Sequence, residues 1–281
     1  MSHAVLRLIA SFFAIVVAFF TTNLSLMPKP RLSFIIPVLN EERLLMRLLE
    51  QFTPERRERY GLEIILSDGG STDNTPQIMA EALKSGLATL LTRHEDTSHR
   101  QTIAEGRNAG ALLATAPILV FLNADTLPHS LDDLCISILA WAEDPILQRT
   151  SPAATTPVHI MPEERITADV IFHAFMSLYV RALNLLAIGM GRGECQIVRR
   201  EAFDAVGAYN AAIVAGEDFD LYTRLRKRGR IQWLPKALVY ESPRRFRKYG
   251  YWAIIWRWFS NSMAVIFLKR SVAAEWEVIR E

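Results

Sequence analysis

Cysteine is scarce in this chain, and neither sign of charge dominates. The 281 residues include two cysteines, Cys135 and Cys195, which lie far apart and match no metal-ligand spacing. We therefore expect ordinary thiols in a reducing compartment. Lysine and arginine total 32 against 30 aspartates and glutamates, and this near balance argues against nucleic-acid binding as the main activity. A chain of this length can hold one large α/β domain with appendages.

The sequence also lacks the glycine-rich fingerprints of two common nucleotide sites. Residues 189–193 read Gly-Met-Gly-Arg-Gly, but this spacing is wrong for a dinucleotide site, and the segment follows a predicted helix rather than a strand. No glycine-rich loop bearing lysine or arginine follows the first predicted strand, where residues 38–40 read Val-Leu-Asn. The second absence argues against a nucleotidyltransferase.

Apolar residues make up 50% of the chain, and they are concentrated near its amino terminus. Residues 4–26 contain one charge, Arg7, and are about long enough to span a bilayer as a helix. Residues 21–26 offer no good cleavage site for a signal peptidase. An uncleaved membrane anchor over residues 1–28 is therefore favoured over a signal peptide or a helix lying in the membrane surface.

The carboxyl-terminal region carries a second membrane signal. Basic residues at 244–248 lead into Trp252, Trp256 and Trp258, and an apolar stretch interrupted by polar residues follows. Basic side chains interleaved with tryptophan suit the headgroup layer of a bilayer. We interpret residues 246–281 as an interfacial amphipathic helix, and the alternative is a helix packed on the main domain.

Between these ends, predicted strands and helices alternate with short connections. Runs of mainly apolar residues predict strands at residues 32–37, 63–68, 87–91 and 118–122, and the last of these runs is unbroken. Asn40 and Thr75 are the predicted N-caps of the helices that follow the first two strands. This βαβ pattern predicts an α/β fold with a mostly parallel sheet flanked by helices.

The predicted strand at residues 118–122 stops at Asn123 and Asp125. Alternate residues of a strand point the same way, so both side chains should project from its carboxyl end, where open α/β sheets bind ligands. Such an oxygen pair suits a hard cation such as Mg²⁺ or Mn²⁺ beside phosphates. Asn-x-Asp after a strand also fits a turn that caps the next helix, so the surrounding motifs must decide.

Five short motifs follow one another along the chain. They are Phe34-Ile35-Ile36-Pro37-Val38-Leu39-Asn40-Glu41-Glu42, Asp68-Gly69-Gly70-Ser71-Thr72-Asp73, Arg107-Asn108-Ala109-Gly110, Asn123-Ala124-Asp125 and Gly216-Glu217-Asp218. Together they resemble the family 2 glycosyltransferases over roughly residues 31–245, and the ordered set is specific although each motif alone is weak. The resemblance implies a GT-A fold, a nucleotide-sugar donor linked to UDP or GDP, a divalent metal and inversion at the anomeric carbon.

The resemblance also implies roles for individual residues. Asp218 is the expected catalytic base, Glu217 beside it is expected to orient the acceptor or the base, and Asp125 is the expected ligand of Mg²⁺ or Mn²⁺. The residues expected to bind the nucleotide sugar are Pro37, Leu39, Glu41, Asp68, Arg107, Asn123 and Arg245. Arg244 and Arg245 suit either the donor diphosphate or lipid headgroups.

Departures from the family pattern refine these expectations. Asn123 and Gly69 each stand where the family has an aspartate. The Gln-x-x-Arg-Trp element of processive synthases is missing after Asp218, which predicts the addition of one sugar at a time. The glycines of residues 189–193 are interpreted as making room for a sugar. The apolar residues 166–188 are interpreted as a core or acceptor-groove helix rather than a third membrane element.

The sequence thus predicts three regions: a membrane anchor at residues 1–28, a GT-A catalytic domain at 31–245 and an interfacial tail at 246–281. The expected reaction moves one sugar from a nucleotide sugar to a hydroxyl of a lipid-linked or membrane acceptor at the cytoplasmic face. Membrane lipids are expected partners, and nucleic acid is not. The alternatives are a non-catalytic, nucleotide-sugar-binding membrane scaffold, with Asn123 as a sign of lost chemistry, and a nucleotidyltransferase.

Overall fold

The computed structural model describes residues 29–96 and 98–268, so the predicted anchor and the end of the predicted tail lie outside it. The strands are β1 Leu32–Val38, β2 Leu62–Asp68, β3 Leu90–Arg93, β4 Ile118–Leu122, β5 Thr126–Pro128, β6 Ala153–Thr155, β7 Val158–Ile160, β8 Cys195–Arg199, β9 Ile231–Trp233 and β10 Val239–Glu241. The helices are α1 Leu45–Leu49, α2 Pro54–Tyr60, α3 Thr75–Lys84, α4 Ile103–Leu113, α5 Leu131–Glu143, α6 Pro145–Thr150, α7 Thr167–Leu185, α8 Arg200–Ala205, α9 Glu217–Arg226, α10 Arg244–Tyr249 and α11 Tyr251–Leu268.

A seven-stranded sheet in the order β3-β2-β1-β4-β8-β6-β9 forms the centre of the fold. β1 pairs in parallel with β2 and β4, and β2 pairs in parallel with β3, which confirms the predicted βαβ half. β8 runs antiparallel to both β4 and β6. A second sheet has the order β5-β10-β7. Because the strand order turns back between β1 and β4, a crevice is expected at the carboxyl ends of these two strands.

The long apolar runs become strands because both faces of the central sheet are covered. Phe34 and Ile36 of β1 enter one buried apolar core, whereas Ile35 between them enters a second core on the other face. The first core extends to Trp141 of α5, whose indole N–H donates to Ser151 Oγ at 2.9 Å. Burial of both faces explains why alternation of apolar and polar residues is absent from these strands.

The predicted N-caps at Asn40 and Thr75 are wrong. Helix α1 begins only at Leu45, and Asn40 has a φ of +55°. Asn40 Oδ1 accepts hydrogen bonds from the backbone N–H groups of Thr72 at 2.8 Å and Asp73 at 3.3 Å. Thr75 lies inside α3, and its Oγ1 accepts from the N–H of Glu41 at 2.9 Å. Both side chains therefore tie the segment after β1 to the segment after β2.

Helix α4 contains the Arg107-Asn108-Ala109-Gly110 motif. A capping box starts it: Thr102 Oγ1 accepts from the N–H of Glu105 at 3.2 Å, and Glu105 Oε2 accepts from the N–H of Thr102 at 2.7 Å. The Thr-x-x-Glu spacing of this capping box is present in the sequence at residues 102–105. The consequence is that Arg107 projects from a rigid helix rather than from a loop.

Helices α7 and α11 pack side by side. Phe172 of α7 contacts Phe246 of α10 and Trp258 of α11, with ring centroids 5.2 and 6.1 Å apart. One side of α11 is thus packed on the domain, as the alternative interpretation expected, while Trp252 and Trp256 remain exposed. Among the helices that the structure describes, none is both long and apolar enough to cross a membrane.

Candidate active site

A cavity of about 820 Å³ opens where β1 and β4 end, a volume typical of small-molecule sites. Its walls come from the segments after β1, β2, β3 and β4, from the start of α9, and from α7, α10 and α11. The predicted site residues that line it are Pro37, Leu39, Glu41, Arg107, Asn123, Asp125, Glu217, Asp218 and Arg245. The fold therefore brings together predicted site residues from four of the five motifs and from helix α10.

Asp68 does not line this cavity. Its buried carboxylate accepts hydrogen bonds from the N–H groups of Gly70 at 3.2 Å and Ser71 at 2.8 Å, and its second oxygen lies 3.5 Å from Arg93 Nε. These contacts stabilise the loop after β2, whose Gly69 does line the cavity. A direct contact between Asp68 and a nucleotide base stays a prediction.

Arg107 lines the cavity, and its contact with the nucleotide sugar, which the resemblance implied, stays a prediction. Its side chain is fully buried, and its Nη1 donates to Glu217 Oε1 at 2.8 Å. Its Nη2 donates to Asn123 Oδ1 at 3.0 Å and to the carbonyl of Gly193 at 2.7 Å. The guanidinium also lies 5.3 Å from the ring centroid of Tyr209. Arg107 is thus a positioning residue that fixes three parts of the cavity wall.

Replacing Arg107 with methionine is expected to lower the free energy of unfolding by about 3–5 kcal/mol, because Glu217 would stay buried without its partner. Urea denaturation monitored by circular dichroism measures this loss. Arg56→Met is the control, since Arg56 forms a half-exposed pair with Asp132 at 3.0 Å and should cost at most about 1 kcal/mol. Equal losses in the two variants would contradict the role given to Arg107.

Asn123 and Asp125 differ in what they can offer to a ligand. Asn123 Oδ1 already accepts from Arg107, whereas one Asp125 oxygen accepts no hydrogen bond within residues 29–96 and 98–268. In the same part of the chain, no group of three or more His, Cys, Asp or Glu side chains could hold a metal. A cation here would depend on the Asp125 carboxylate and on ligand oxygens, an arrangement that Mg²⁺ commonly uses with phosphates.

Arg244 joins two carboxylates on this wall of the cavity. Its Nη2 lies 2.5 Å from Glu41 Oε1 and 2.9 Å from Asp125 Oδ2. Burial raises the pKa of Glu41, and the nearby charge of Asp125 raises it further, while the hydrogen bond from Arg244 opposes both effects. Arg245 lines the cavity beside it. The wall therefore combines acidic and basic groups suited to a metal-bound diphosphate.

Asp218 lies in the first turn of α9, directly after Gly216 and Glu217. Gly216 has a φ of +87°, a conformation that favours glycine. Asp218 Oδ1 accepts from the N–H of Phe219 at 2.8 Å, and Oδ2 would lie 3.1 Å from a Cβ added at Gly193. Burial and then the charge of Glu217 raise the pKa of Asp218 from 3.8 to about 7. A cavity-lining carboxylate with this pKa can accept a proton near neutral pH.

This raised pKa predicts opposite effects of pH on activity and stability. Because Asp218 must be ionised to accept a proton, kcat/KM is expected to rise with pH through an apparent pKa of about 7. Its contribution to stability is complete below the unfolded pKa of 3.8 and is lost as pH rises through about 7. Rate profiles and urea unfolding from pH 5 to 9 measure both trends, and Asp218→Asn should remove both. If Asp218→Asn kept the same pH dependence of rate and of stability as the unaltered protein, the pKa of about 7 would not belong to Asp218.

A second buried charge cluster was not predicted from the sequence. Arg192 pairs with Glu194 at 2.9 Å and with Glu241 at 2.8 Å, and His173 lies 3.8 Å from Glu241. Burial lowers the pKa of His173 to about 3, so its ring is neutral. The three charged residues line the cavity. No local sequence pattern predicts this cluster, because β10 and the segment before β8 meet only in the folded chain.

Two of the three glycines at residues 189–193 do not make room for a sugar, contrary to the interpretation from the sequence. A Cβ on Gly189 or Gly191 would collide with Tyr222 of α9, so both glycines allow close packing rather than space for a sugar. Gly193 alone among these three lines the cavity, beside Asp218. The prediction is therefore wrong for Gly189 and Gly191.

The segment before α4 supplies cavity residues that no motif of the sequence predicted. Gln101 Oε1 would lie 3.3 Å from a Cβ on Gly69 and 3.1 Å from a Cβ on Gly106. The Gln101 side chain therefore fills the space that these two glycines leave, close to Pro37 and Leu39. An aspartate at position 69, as in the family pattern, would have to displace it.

The remaining wall is apolar. Phe175, Met176 and Tyr179 of α7 and Ile255 and Trp258 of α11 line this side. The cavity thus has one wall suited to a nucleotide diphosphate, a buried carboxylate able to accept a proton, and one wall suited to an apolar group. With the β1–β4 switch point, this arrangement defines a nucleotide-sugar-dependent transferase of the GT-A type.

Comparison with known proteins identifies the family. Residues 33–207 match the model of glycosyl transferase family 2, and the chain belongs to this family. A PGL/p-HBAD biosynthesis glycosyltransferase from Mycobacterium bovis is 30% identical over 200 residues, 69% of this chain and 70% of that protein. A validoxylamine A glucosyltransferase from Streptomyces hygroscopicus subsp. limoneus is 36% identical over 98 residues, 35% of this chain and only 21% of that protein.

Two further proteins extend this comparison. A beta-monoglucosyldiacylglycerol synthase from Nostoc is 26% identical over 206 residues, 70% of this chain and 41% of that protein. The mannosyltransferase PcManGT from Pyrobaculum calidifontis, solved with GDP-Man and Mn²⁺, has a TM-score of 0.61 and 22% identity over 95% of this chain and 74% of its own. The predicted fold and enzyme class, a family 2 glycosyltransferase using a nucleotide-sugar donor, are confirmed.

Proposed function

We propose that this chain transfers a single sugar from a UDP- or GDP-linked donor to a hydroxyl of a lipid-linked acceptor, with inversion, at the cytoplasmic face of a membrane. The observation that carries this proposal is the composition of one cavity. Its walls include Asp125 and Arg244 for a diphosphate, Asp218 for proton transfer, and the apolar side chains of α7 and α11. The missing Gln-x-x-Arg-Trp element supports a single transfer.

Donor binding is assigned to the wall formed after β1 and β4. Arg244 and Arg245 can donate charge-assisted hydrogen bonds to the diphosphate, and Pro37 and Leu39 can pack against the nucleoside. A divalent metal held by Asp125 and the donor would neutralise the charge that develops on the leaving diphosphate. The Mn²⁺ and GDP-Man named for PcManGT support a metal and a nucleotide sugar of this kind.

Proton transfer is assigned to Asp218. As the acceptor oxygen bonds to the anomeric carbon, the bond from that carbon to the diphosphate breaks, and Asp218 takes the hydroxyl proton. Glu217 is held by Arg107 at 2.8 Å, so its charge acts on Asp218 from a fixed position. Glu217 thereby helps to raise the pKa of the base, which keeps Asp218 a competent acceptor near pH 7.

A lipid acceptor is supported by the apolar wall. Phe175, Met176 and Trp258 can contact an acyl or prenyl group while the acceptor hydroxyl reaches Asp218. The Nostoc relative is named for a glucosylated diacylglycerol product, which supports the same class. The cytoplasmic face is proposed because nucleotide sugars are available there.

The test is a transfer assay with full-length protein, Mn²⁺, radiolabelled UDP- and GDP-linked sugars and a lipid extract from membranes. Label is expected in the organic phase, in a product whose anomeric configuration is opposite to that of the donor. Asp218→Asn serves as the inactive control. Label found only on water-soluble acceptors would contradict the lipid part of the proposal, and a retained configuration would contradict inversion.

A further inference from the structure

Helix α7 exposes an apolar side, and the side that it buries includes two polar residues. Asp169 and His173 are fully buried, whereas Ile171, Phe175 and Leu178 are 67%, 55% and 64% exposed. The exposed three are spaced i, i+4 and i+7, which is the spacing that normally faces a core. An outward apolar stripe of this kind marks an interaction surface.

The orientation of α7 on the domain is fixed by specific contacts. Asp169 accepts from Arg247 Nη2 at 2.6 Å and Nη1 at 3.1 Å, and also from the hydroxyl of Tyr251. These bonds tie α7 to α10 and α11. Turning α7 to bury its apolar stripe would break the ion pair between Asp169 and Arg247, so the exposed stripe belongs to the folded state.

Helix α11, which contacts Phe172 of α7 through Trp258, also exposes large apolar side chains. Trp252 and Trp256 of α11 are 83% and 68% exposed, and they follow the same i, i+4 spacing. We name the α7–α11 surface by its most exposed members, which are Ile171, Phe175, Leu178, Leu185, Trp252 and Trp256. It adjoins the cavity, because Phe175 belongs to the surface and also lines the cavity.

The charges around the surface select its partner. Arg181, Lys248 and Arg257 are exposed on or beside α7 and α11, and α11 contains no acidic residue in its described range of Tyr251–Leu268. Exposed tryptophans with basic neighbours suit the headgroup layer of a bilayer that contains anionic lipids. A protein or a second copy seated here would cover Phe175 at the cavity wall, whereas a bilayer would present its own molecules to the cavity.

We propose that the α7–α11 surface lies in the headgroup layer of an anionic membrane and that the cavity opens toward it. The membrane contact rests on the exposed side chains of α7 and α11, independently of residues 1–28. Only the statement that the acceptor reaches the cavity from this membrane rests on the proposed function. Helix α7 thereby combines a docking surface with the acceptor-groove role interpreted from the sequence, since Phe175 and Met176 line the cavity.

Selective labelling tests the contact in the full chain. Cys135 and Cys195 are buried, so a cysteine introduced by Leu178→Cys can be labelled with an environment-sensitive fluorophore. Leu112→Cys is the control, because Leu112 is 87% exposed near the end of α4, and helices that follow parallel strands end at the opposite edge of the sheet from the cavity. Both proteins are bound to vesicles of phosphatidylcholine and phosphatidylglycerol.

A blue shift and quenching by brominated lipids are expected for the label at position 178 and not at position 112. A label at 178 that stays in water while the protein is vesicle-bound would overturn the proposal, and so would equal quenching at both positions. Failure of the proposed function looks different: the label at 178 contacts lipid, but no donor yields a lipid product.

A negative charge introduced on the same surface gives a second readout. Leu178→Glu is expected to lower transfer to a vesicle-borne acceptor by about tenfold or more. Metal-dependent hydrolysis of the donor should be unchanged, because Leu178 does not line the cavity. Ile136→Glu, on the exposed side of α5, is the matched control and should retain full transfer. Equal transfer by the two variants would overturn the proposal.

Discussion

Replacing Asp218 with asparagine is expected to lower turnover by about 10²-fold or more while donor affinity changes little. The substitution keeps the size of the side chain and removes its ability to accept a proton. Asp218 lies in the first turn of α9 with a raised pKa, whereas donor binding is assigned to Arg244 and Arg245. The loss should therefore appear in the rate of the chemical step and not in binding of the nucleotide sugar.

Initial rates at saturating donor and calorimetric binding of the nucleoside diphosphate separate these two effects. Asp220→Asn is the control, because Asp220 lies on the same helix, pairs with Arg224 at 2.5 Å and does not line the cavity. The control should keep most of its turnover. Normal turnover in Asp218→Asn would remove Asp218 from the mechanism, and an equal loss in both variants would indicate damage to α9.

Asp125→Ala is expected to abolish detectable transfer and to remove the response to added metal. Asp125 offers one carboxylate oxygen that no described group binds, and the described residues contain no group of three acidic, histidine or cysteine side chains that could hold a metal in its place. Without that oxygen, the metal and the donor diphosphate lose their attachment to the wall after β4. The expected loss is in both metal binding and catalysis.

Titration with Mn²⁺, followed by chelation, measures this dependence. Asp133→Ala is the control, since Asp133 is exposed on α5 and lies outside the cavity. Thermal melting should show that Asp125→Ala remains folded, although Arg244 would then pair only with Glu41 among the described residues. Near-normal activity of Asp125→Ala, or activity of the unaltered enzyme in excess chelator, would show that the metal assignment is wrong.

The sequence predicted β1 to β4 but missed β8 and several three-residue strands. β1, β2 and β4 are buried on both faces, so they appear as runs made up mainly of apolar residues. β5, β6, β9 and β10 each contain three residues, too few to establish any periodicity. The N-caps assigned to Asn40 and Thr75 failed because their partners are 32 and 34 residues away.

The site was predictable where a motif carries its own chemistry, and not where a role depends on distant partners. Asp125 and Asp218 follow recognisable patterns, and the structure places both on the cavity wall. Arg107 belongs to an equally clear motif, but its position depends on Glu217, 110 residues further along the chain. The outward face of α7 likewise depends on the pair between Asp169 and Arg247, 78 residues apart.

Release of nucleoside diphosphate from a nucleotide sugar tests the central claim most directly. The full-length protein is incubated with UDP- and GDP-linked sugars and a membrane lipid extract, with Mn²⁺ or with excess chelator. We predict release of UDP or GDP that requires the metal, that the lipid extract accelerates, and that is lost in Asp125→Ala and Asp218→Asn. No release from any donor would support the non-catalytic scaffold, and release of pyrophosphate from a nucleoside triphosphate and a sugar phosphate would contradict glycosyl transfer.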